Sequence, residues 1–128
     1  MRLGIIGGGR AAWAFGSTWR RLGWPLAGIA RREGSASRVP ELLGIPDRTR
    51  EEVVRSSDAV LLAVTDRAIA EVAASLPETE AVIWHASGSI PHVRGGFSLH
   101  PLRVLPPVGE PADLGGTLFV AEGERLDV

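Results

Sequence analysis

The stretch Leu3-Gly4-Ile5-Ile6-Gly7-Gly8-Gly9-Arg10-Ala11-Ala12 decides the fold of this chain. Leu3 to Ile6 is a short run, apolar on both faces, the pattern of a strand covered by helices on each side of a parallel sheet. Three glycines follow at once. From Ala11 to Leu22 the period becomes helical, with Ala12, Phe15, Trp19 and Leu22 on one stripe. Gly16 falls there too, where a small residue lets the helix approach the sheet, and Gly23 ends the helix. Gly7 to Ala12 is therefore a G-x-G-x-x-A pattern between a strand and a helix, the context that gives the pattern its meaning. Gly7 allows the tight turn, Gly9 keeps Cβ away from an approaching pyrophosphate, and Ala12 permits close helix–strand packing. The backbone N–H groups around Gly8, Gly9, Arg10 and Ala11 then face phosphates, aided by the helix dipole. Arg10 either reaches a phosphate or is a plain surface residue. No Gly-Lys-Ser/Thr follows, which excludes a P-loop. The competing reading is a glycine-rich turn in an α/β domain that binds nothing.

Strands and helices alternate through the first half. Leu26 to Ala30 reads as a second buried strand. Ser37 to Leu43 reads as a short helix with Pro40 in its first turn, stopped by Gly44, and a small strand at Gly44-Ile45 can follow. Thr49 and Glu52 form a capping box for a helix over Arg50 to Ser56. Ala59 to Val64 is a third strand. Asp66 caps a helix from Arg67 to Leu76, with Ile69, Val72, Ala73 and Leu76 facing inward. Ala81 to His85, Phe97 to His100 and Thr117 to Ala121 supply three more strands. The alternation predicts βαβ units and an α/β, Rossmann-like, doubly wound, mostly parallel six-stranded sheet of order 3-2-1-4-5-6. Residues 1–128 form one dinucleotide-binding domain in this reading.

Cofactor choice is read at the end of the second strand. NAD sites commonly place an acidic residue there for the ribose hydroxyls. This chain has Ala30-Arg31-Arg32, and guanidinium groups favour a 2′-phosphate. NADP is expected over NAD, held by Arg31, with Arg32 either assisting or solvated; Ser35 and Ser37 offer hydroxyls, and Glu33 is a nearby opposing charge. Val64-Thr65-Asp66 should border the ribose at the carboxyl edge of the sheet, although helix capping alone accounts for Asp66. Ser87, after the fourth strand, is a candidate for bonding a carboxamide or a substrate oxygen. His85 is a candidate acid/base group or a satisfied core histidine. His100, at the end of the fifth strand, is a candidate for proton transfer, because its unperturbed pKa is near neutrality, or a structural anchor of its loop. His85, His92 and His100 lack metal-ligand spacing, so no metal site is expected. Trp19 and Trp84 read as core; Trp13 and Trp24 cover a cofactor, meet a partner or fill a peripheral cluster.

Composition narrows the classes. Fourteen basic and 15 acidic side chains give a net charge of -1, no general attraction to nucleic acid or anionic membrane. Cysteine is absent, which rules out disulfides, thiolate metal sites and cysteine nucleophiles. The start has no signal-peptide pattern and no apolar run nears the roughly 20 residues of a membrane helix, so a cytoplasmic protein is expected.

With these residues in hand, the chain resembles the N-terminal half of the oxidoreductase-like family that carries a DUF2520 helical domain. That family is related to pyrroline-5-carboxylate reductases and NADP-dependent F420 oxidoreductases. The likeness rests on Gly7-x-Gly9-Arg10, on Arg31, on Leu61 to Asp66 (LLAVTD, with Thr65 where proline is common), on Ser87-Gly88 and on Ser98-Leu99-His100-Pro101-Leu102. It implies NADP-dependent hydride transfer to or from a small carbonyl or imine-type substrate. It also implies a closing all-helical domain that residues 1–128 do not include, to be replaced by a homodimer partner or a separate helical protein. The helix expected after Ser87-Gly88 is shortened to Ile90 to Arg94. Alternatives are a cofactor-binding or regulatory module without catalysis, and a scaffold that uses its surface for protein contact.

Overall fold

A computed structural model of the protein describes residues 1–125. Its first strand, β1 (Leu3–Gly7), is buried along its whole length. Two core layers follow from the alternation of its side chains. Ile5 faces one side with Leu61 and Trp84, and Ile6 faces the other with Leu62 and Ile83. The first layer is covered by α1 (Arg10–Arg21) through Ala12, Phe15 and Trp19 and by α2 (Val39–Leu43). The second is covered by α3 (Arg50–Ser56) and α4 (Asp66–Ser75), which contribute Val53, Val54, Ile69, Val72 and Ala73. Gly16 serves the approach of α1 to α2 more than to the sheet. A Cβ there would lie 2.5 Å from Leu43 Cδ1 and 3.4 Å from Ile5 Cδ1.

The remaining strands are β2 (Leu26–Ala30), β3 (Ala59–Ala63), β4 (Val82–His85), β5 (Phe97–Pro101) and β6 (Phe119–Gly123), in the order β2-β1-β3-β4-β5-β6. The sheet is parallel except for β6, which runs antiparallel to β5. The stretch that would make a full outer strand beside β2 is reduced to one parallel bridge, Ile29 to Asp47. The expected order 3-2-1-4-5-6 takes Ala59 to Val64 as the third strand, beside β2. That strand, β3, pairs instead with the other side of β1, and the place beyond β2 holds only the bridge, at Asp47 and not at Gly44-Ile45. Pro46 limits it, since its ring supplies no N–H for a ladder.

Three local expectations change. Asp66 is the first residue of α4 rather than its cap; Thr65 holds the cap position, without a side-chain bond. Helix α2 begins at Val39, because Ser37 is drawn away to the glycine loop. Ile90 to Arg94 is not helical: Arg94 adopts φ 54° and sends its guanidinium to the carbonyls of Ala73 (2.7 Å), Leu76 (3.3 Å) and Pro77 (3.0 Å). It thereby supplements the long bond from Leu76 N–H to the Ala73 carbonyl (3.4 Å) and takes up carbonyls just beyond the C-terminal end of α4. The Thr49–Glu52 capping box forms as read, and its Thr49 hydrogen bonds hold the Glu52 carboxyl below its usual range.

The β5–β6 connection lies along α1. Trp13 Nε1 donates to the Glu110 carbonyl (2.6 Å), Leu114 N–H to Thr18 Oγ1 (3.0 Å), and Arg21 pairs with Asp113 (2.9 Å). Trp13 thus serves a peripheral contact, while Trp24 is half exposed. At the far end His92 Nδ1 meets Glu122 Oε1 at 2.6 Å, tying β6 to the β4–β5 loop.

Two outcomes follow from this packing. Leu61 is fully buried, so Leu61→Ala should cost about 2–5 kcal/mol in urea unfolding. The bond from His92 is the main cause of the lowered Glu122 pKa. A carboxylate lowered on folding stabilises above its unfolded pKa, about 4.3, and that contribution is lost as pH falls through the folded value. The melting-temperature gap between wild type and Glu122→Gln should therefore be present at neutral pH and close in acid; a gap constant across that range would refute this.

Candidate active site

The carboxyl ends of the parallel strands open into a groove whose floor is the glycine loop. Each glycine meets a different constraint. Gly7 has φ 132°, and a Cβ there would run into the Ala63 carbonyl. At Gly8 a Cβ would lie 2.6 Å from Ser37 Oγ, the hydroxyl that donates to the Gly8 carbonyl at 2.6 Å. Around Gly9 nothing lies within 4 Å of the Cβ position. Gly9 is the N-cap of α1 and has no side chain to cap it, so the first-turn amides face this open volume. Ala12 is fully buried beneath the loop.

The cleft measures about 470 Å³ and is lined by Gly7, Gly8, Gly9, Arg10 and Ala11 on one side and by Val64 and Thr65 on the other. Arg32, Ser35 and Arg50 line its outer end. A polar basin of about 690 Å³ adjoins there and shares those same three residues. Arg31 borders the basin but not the cleft. Its Nη1 donates to the Ser37 carbonyl (2.7 Å) and its Nη2 to Asp47 Oδ2 (2.6 Å). The bond to Asp47 raises the Arg31 pKa further above its ordinary value. Arg48 pairs loosely with Glu52 at 3.9 Å. Arg32 and Arg50 make no salt bridge among the described residues.

Arg50 is the residue that sequence reading passed over. The available signal was its place: a cation opens α3, where the helix dipole favours an anion.

A second cavity of about 280 Å³ shares Ala11, Ala63 and Val64 with the cleft and collects Asp66, Ser87 and His100. Ser87 Oγ accepts from the N–H groups of Ser89 (3.2 Å) and Ile90 (3.3 Å), which shapes the loop after β4. Ser89 Oγ in turn donates to Asp66 Oδ2 at 3.0 Å. His100 Nδ1 lies 3.1 Å from the Ala86 carbonyl. A carbonyl only accepts, so Nδ1 carries the proton and Nε2 presents its lone pair in the neutral ring. Nε2 has no hydrogen-bond partner among the described residues. The ring rests on Gly88, where a Cβ would lie 2.8 Å from His100 Cδ2.

His85 does not join this group. It is fully buried, Nε2 meets the Pro91 carbonyl at 2.9 Å, and Nδ1 accepts from Ser87 N–H at 3.1 Å. Both ring nitrogens are used, and the ring pins the Ser87–Pro91 loop from below. No cluster of His, Asp or Glu suited to a metal occurs among the described residues, and no helix described is long and apolar enough to cross a membrane.

Comparison with known proteins places this geometry. Residues 2–84, from β1 through most of β4, match the family described as NADP oxidoreductase, coenzyme F420-dependent. The chain belongs to that family. No curated protein matches the chain. Among solved structures, a Bacteroides fragilis protein described as an NADP oxidoreductase is 21% identical with TM-score 0.80, over 98% of this chain and 52% of that one. The 1-pyrroline-5-carboxylate reductase of Streptococcus pyogenes is 19% identical with TM-score 0.65, over 79% of this chain and 42% of that one. Arogenate dehydrogenase from Synechocystis is 12% identical with TM-score 0.74, over 98% of this chain and 51% of that one. These likenesses are of fold, and the chain spans about half the length of the solved proteins it matches. Its doubly wound sheet is a Rossmann fold.

Two glycine substitutions should separate folding from binding. Gly9→Ala fills open space in an extended conformation and should change stability by less than about 1 kcal/mol. Gly7→Ala adds backbone strain of about 1–3 kcal/mol to a collision with Ala63 and should lower the melting temperature markedly. Equal melting temperatures for the two variants would contradict the geometry.

Proposed function

We propose that this chain is the cofactor-binding part of an NADP-dependent oxidoreductase acting on a small carbonyl or imine-type substrate. The observation that carries the reading is the open volume at Gly9, at the uncapped start of α1, continuous with a basin edged by Arg32 and Arg50. A pyrophosphate in that volume would meet the α1 amides, with Arg10 at the rim. The 2′-phosphate of the adenosine would take Arg32 and Arg50, with Ser35 as a hydroxyl donor. Arg31, held by Asp47, would position the loop. This revises the division of labour read from sequence and keeps the preference for NADP over NAD.

The nicotinamide, when bound, supplies or removes the hydride. The chain's part is position and proton management. His100 Nε2 would take a proton from a substrate hydroxyl in oxidation, or return one in reduction after the ring is protonated. Ser87 accepts two N–H bonds and, because Ser89 donates to Asp66, gives its own proton to Ser89 Oγ at 3.3 Å; it would turn that proton to a carboxamide or substrate oxygen on binding. The contact of Gly88 with the His100 ring supports the assignment to the DUF2520-bearing branch, whose Ser-Gly and His-Pro motifs then form one physical unit.

Parallel calorimetric titrations with NADP and NAD test the cofactor reading. NADP should bind more tightly. Arg32→Ala and Arg50→Ala should each weaken NADP about tenfold, the loss of one charge-assisted bond, and leave NAD unchanged. Equal affinities for the two dinucleotides, or arginine variants without effect, would overturn the 2′-phosphate assignment. NADPH bound but oxidised by none of a panel of small carbonyl and imine compounds would favour a binding module without catalysis.

A further inference from the structure

The second cavity carries a charge that cofactor binding leaves unused. Arg103, two residues beyond β5, lines it together with His100. Arg103 Nη1 donates to the Asp113 carbonyl (2.9 Å) and to Thr117 Oγ1 (3.2 Å), which anchors the guanidinium by one corner. Its Nε and Nη2 make no hydrogen bond among the described residues. The Asp113 carboxylate is committed elsewhere: Oδ1 accepts from Gly115 N–H at 2.8 Å and Oδ2 pairs with Arg21 at 2.9 Å. The Gly115 bond first, then Arg21 and, through its charge alone, Arg103 hold that carboxyl below its usual range. Arg103 forms no ion pair among the described residues.

Asp66, the acid on the same wall, is offset by its own surroundings. It takes the Ser89 hydroxyl and stands in the first turn of α4, where the helix dipole favours a negative charge. Arg10 adds a cation at the seam with the cofactor cleft, its Nη1 3.4 Å from the carbonyl of Leu105, another wall residue. Arg103 is exposed, its free edge open to solvent, and an anion is the group that would pair with it on this wall. The cavity volume of about 280 Å³ is at the low end for a ligand pocket, which excludes a bulky one.

We propose that the cavity takes a small carboxylate of the 2-oxo or 2-imino acid class. The free edge of Arg103, Nε and Nη2, matches both carboxylate oxygens as a planar fork. His100 Nε2 then faces the polar atom on the neighbouring carbon. The inference deepens the oxidoreductase reading, which supplies the reason for a reducible group beside His100; the charge argument for an acid stands independently of it.

Oxamate, a carboxylate of this shape that does not accept a hydride, is the probe. It is titrated into the protein with and without NADP while the Cε1–H NMR signals of the three histidines are followed. The His100 signal should shift and saturate, while buried His85 and Glu122-paired His92 hold still. Methyl oxamate, without the charge, should bind at least about tenfold more weakly. Arg103→Leu should lose a similar factor and Arg103→Lys recover part of it. Arg20→Ala should have no effect; Arg20 lies with Arg103 on the neighbouring groove along α1. No shift at His100, equal binding of methyl oxamate, or a loss with Arg20→Ala matching that with Arg103→Leu would overturn the proposal. The methyl oxamate comparison needs no variant, so misfolding of Arg103→Leu leaves the test intact. Oxamate binding without NADP binding would sink the cofactor reading alone, and NADP binding without oxamate binding would sink this one alone.

Discussion

The Ala63 carbonyl occupies the volume into which any side chain at position 7 would project, and the functional edge of the sheet depends on that contact. Strands β1 and β3 stay paired up to Gly7 and Ala63. The chain must then turn sharply enough to start α1 three residues later. Only a residue without Cβ accepts both the pairing and the turn at φ 132°. The direction of α1 and the exposure of its first amides follow from this. So does the position of Ala12 against the sheet. Gly9 differs, since the fold would tolerate a methyl group there; under the proposed cofactor reading it is a phosphate that would not.

A second constraint acts in the half of the chain without a crossover helix. Strands β4 and β5 share only two paired positions, Trp84 with Phe97 and His85 with Ser98. Compensation comes from three directions. Trp84 stacks on Phe97 with centroids 5.2 Å apart and meets Phe15 edge-on at 5.4 Å. The antiparallel β6 adds five paired positions to β5. The β5–β6 connection is fastened along α1 at Trp13, Thr18 and Arg21. Those fastenings also place Arg103 beside His100, so the same loop that closes the core over β5 shapes the wall of the smaller cavity.

Much of this was legible in the residues because it rests on local rules. The apolar runs, the change of period after Gly9, the Thr49–Glu52 box and the stop at Gly44 each use chemistry spread over a few neighbours. What could not be read depends on partners far along the chain. Arg31 is recognisable as a cation after β2, but its capture by Asp47 requires the turn that brings residue 47 beside β2. Arg50 is an unusual helix opener by charge, but its use becomes visible only when Arg32 is seen on the same cleft. A short helix over Ile90 to Arg94 is implied by the family resemblance alone; Pro91 and the β-branched Ile90 and Val93 are weak helix formers, and the carbonyls at the end of α4 claim Arg94. His85 and His100 are similar on paper, each ending a strand. The difference is that His85 has acceptor and donor both supplied by its own loop, whereas His100 uses one nitrogen and keeps the other.

The bonds behind the glycine loop form a continuous line. The Gly8 carbonyl is held by the Ser37 hydroxyl, the Ser37 carbonyl by Arg31, Arg31 by Asp47, and the backbone around Asp47 by Ile29 in the sheet. The loop is therefore fixed before any ligand arrives. The conformational entropy of ordering a glycine-rich segment is spent during folding and not at the moment of association. Under the proposed cofactor reading, each bond to an incoming phosphate would then count toward affinity with little offset. Loosening the line far from the cleft, at Asp47, would weaken association without removing a single atom that touches the ligand.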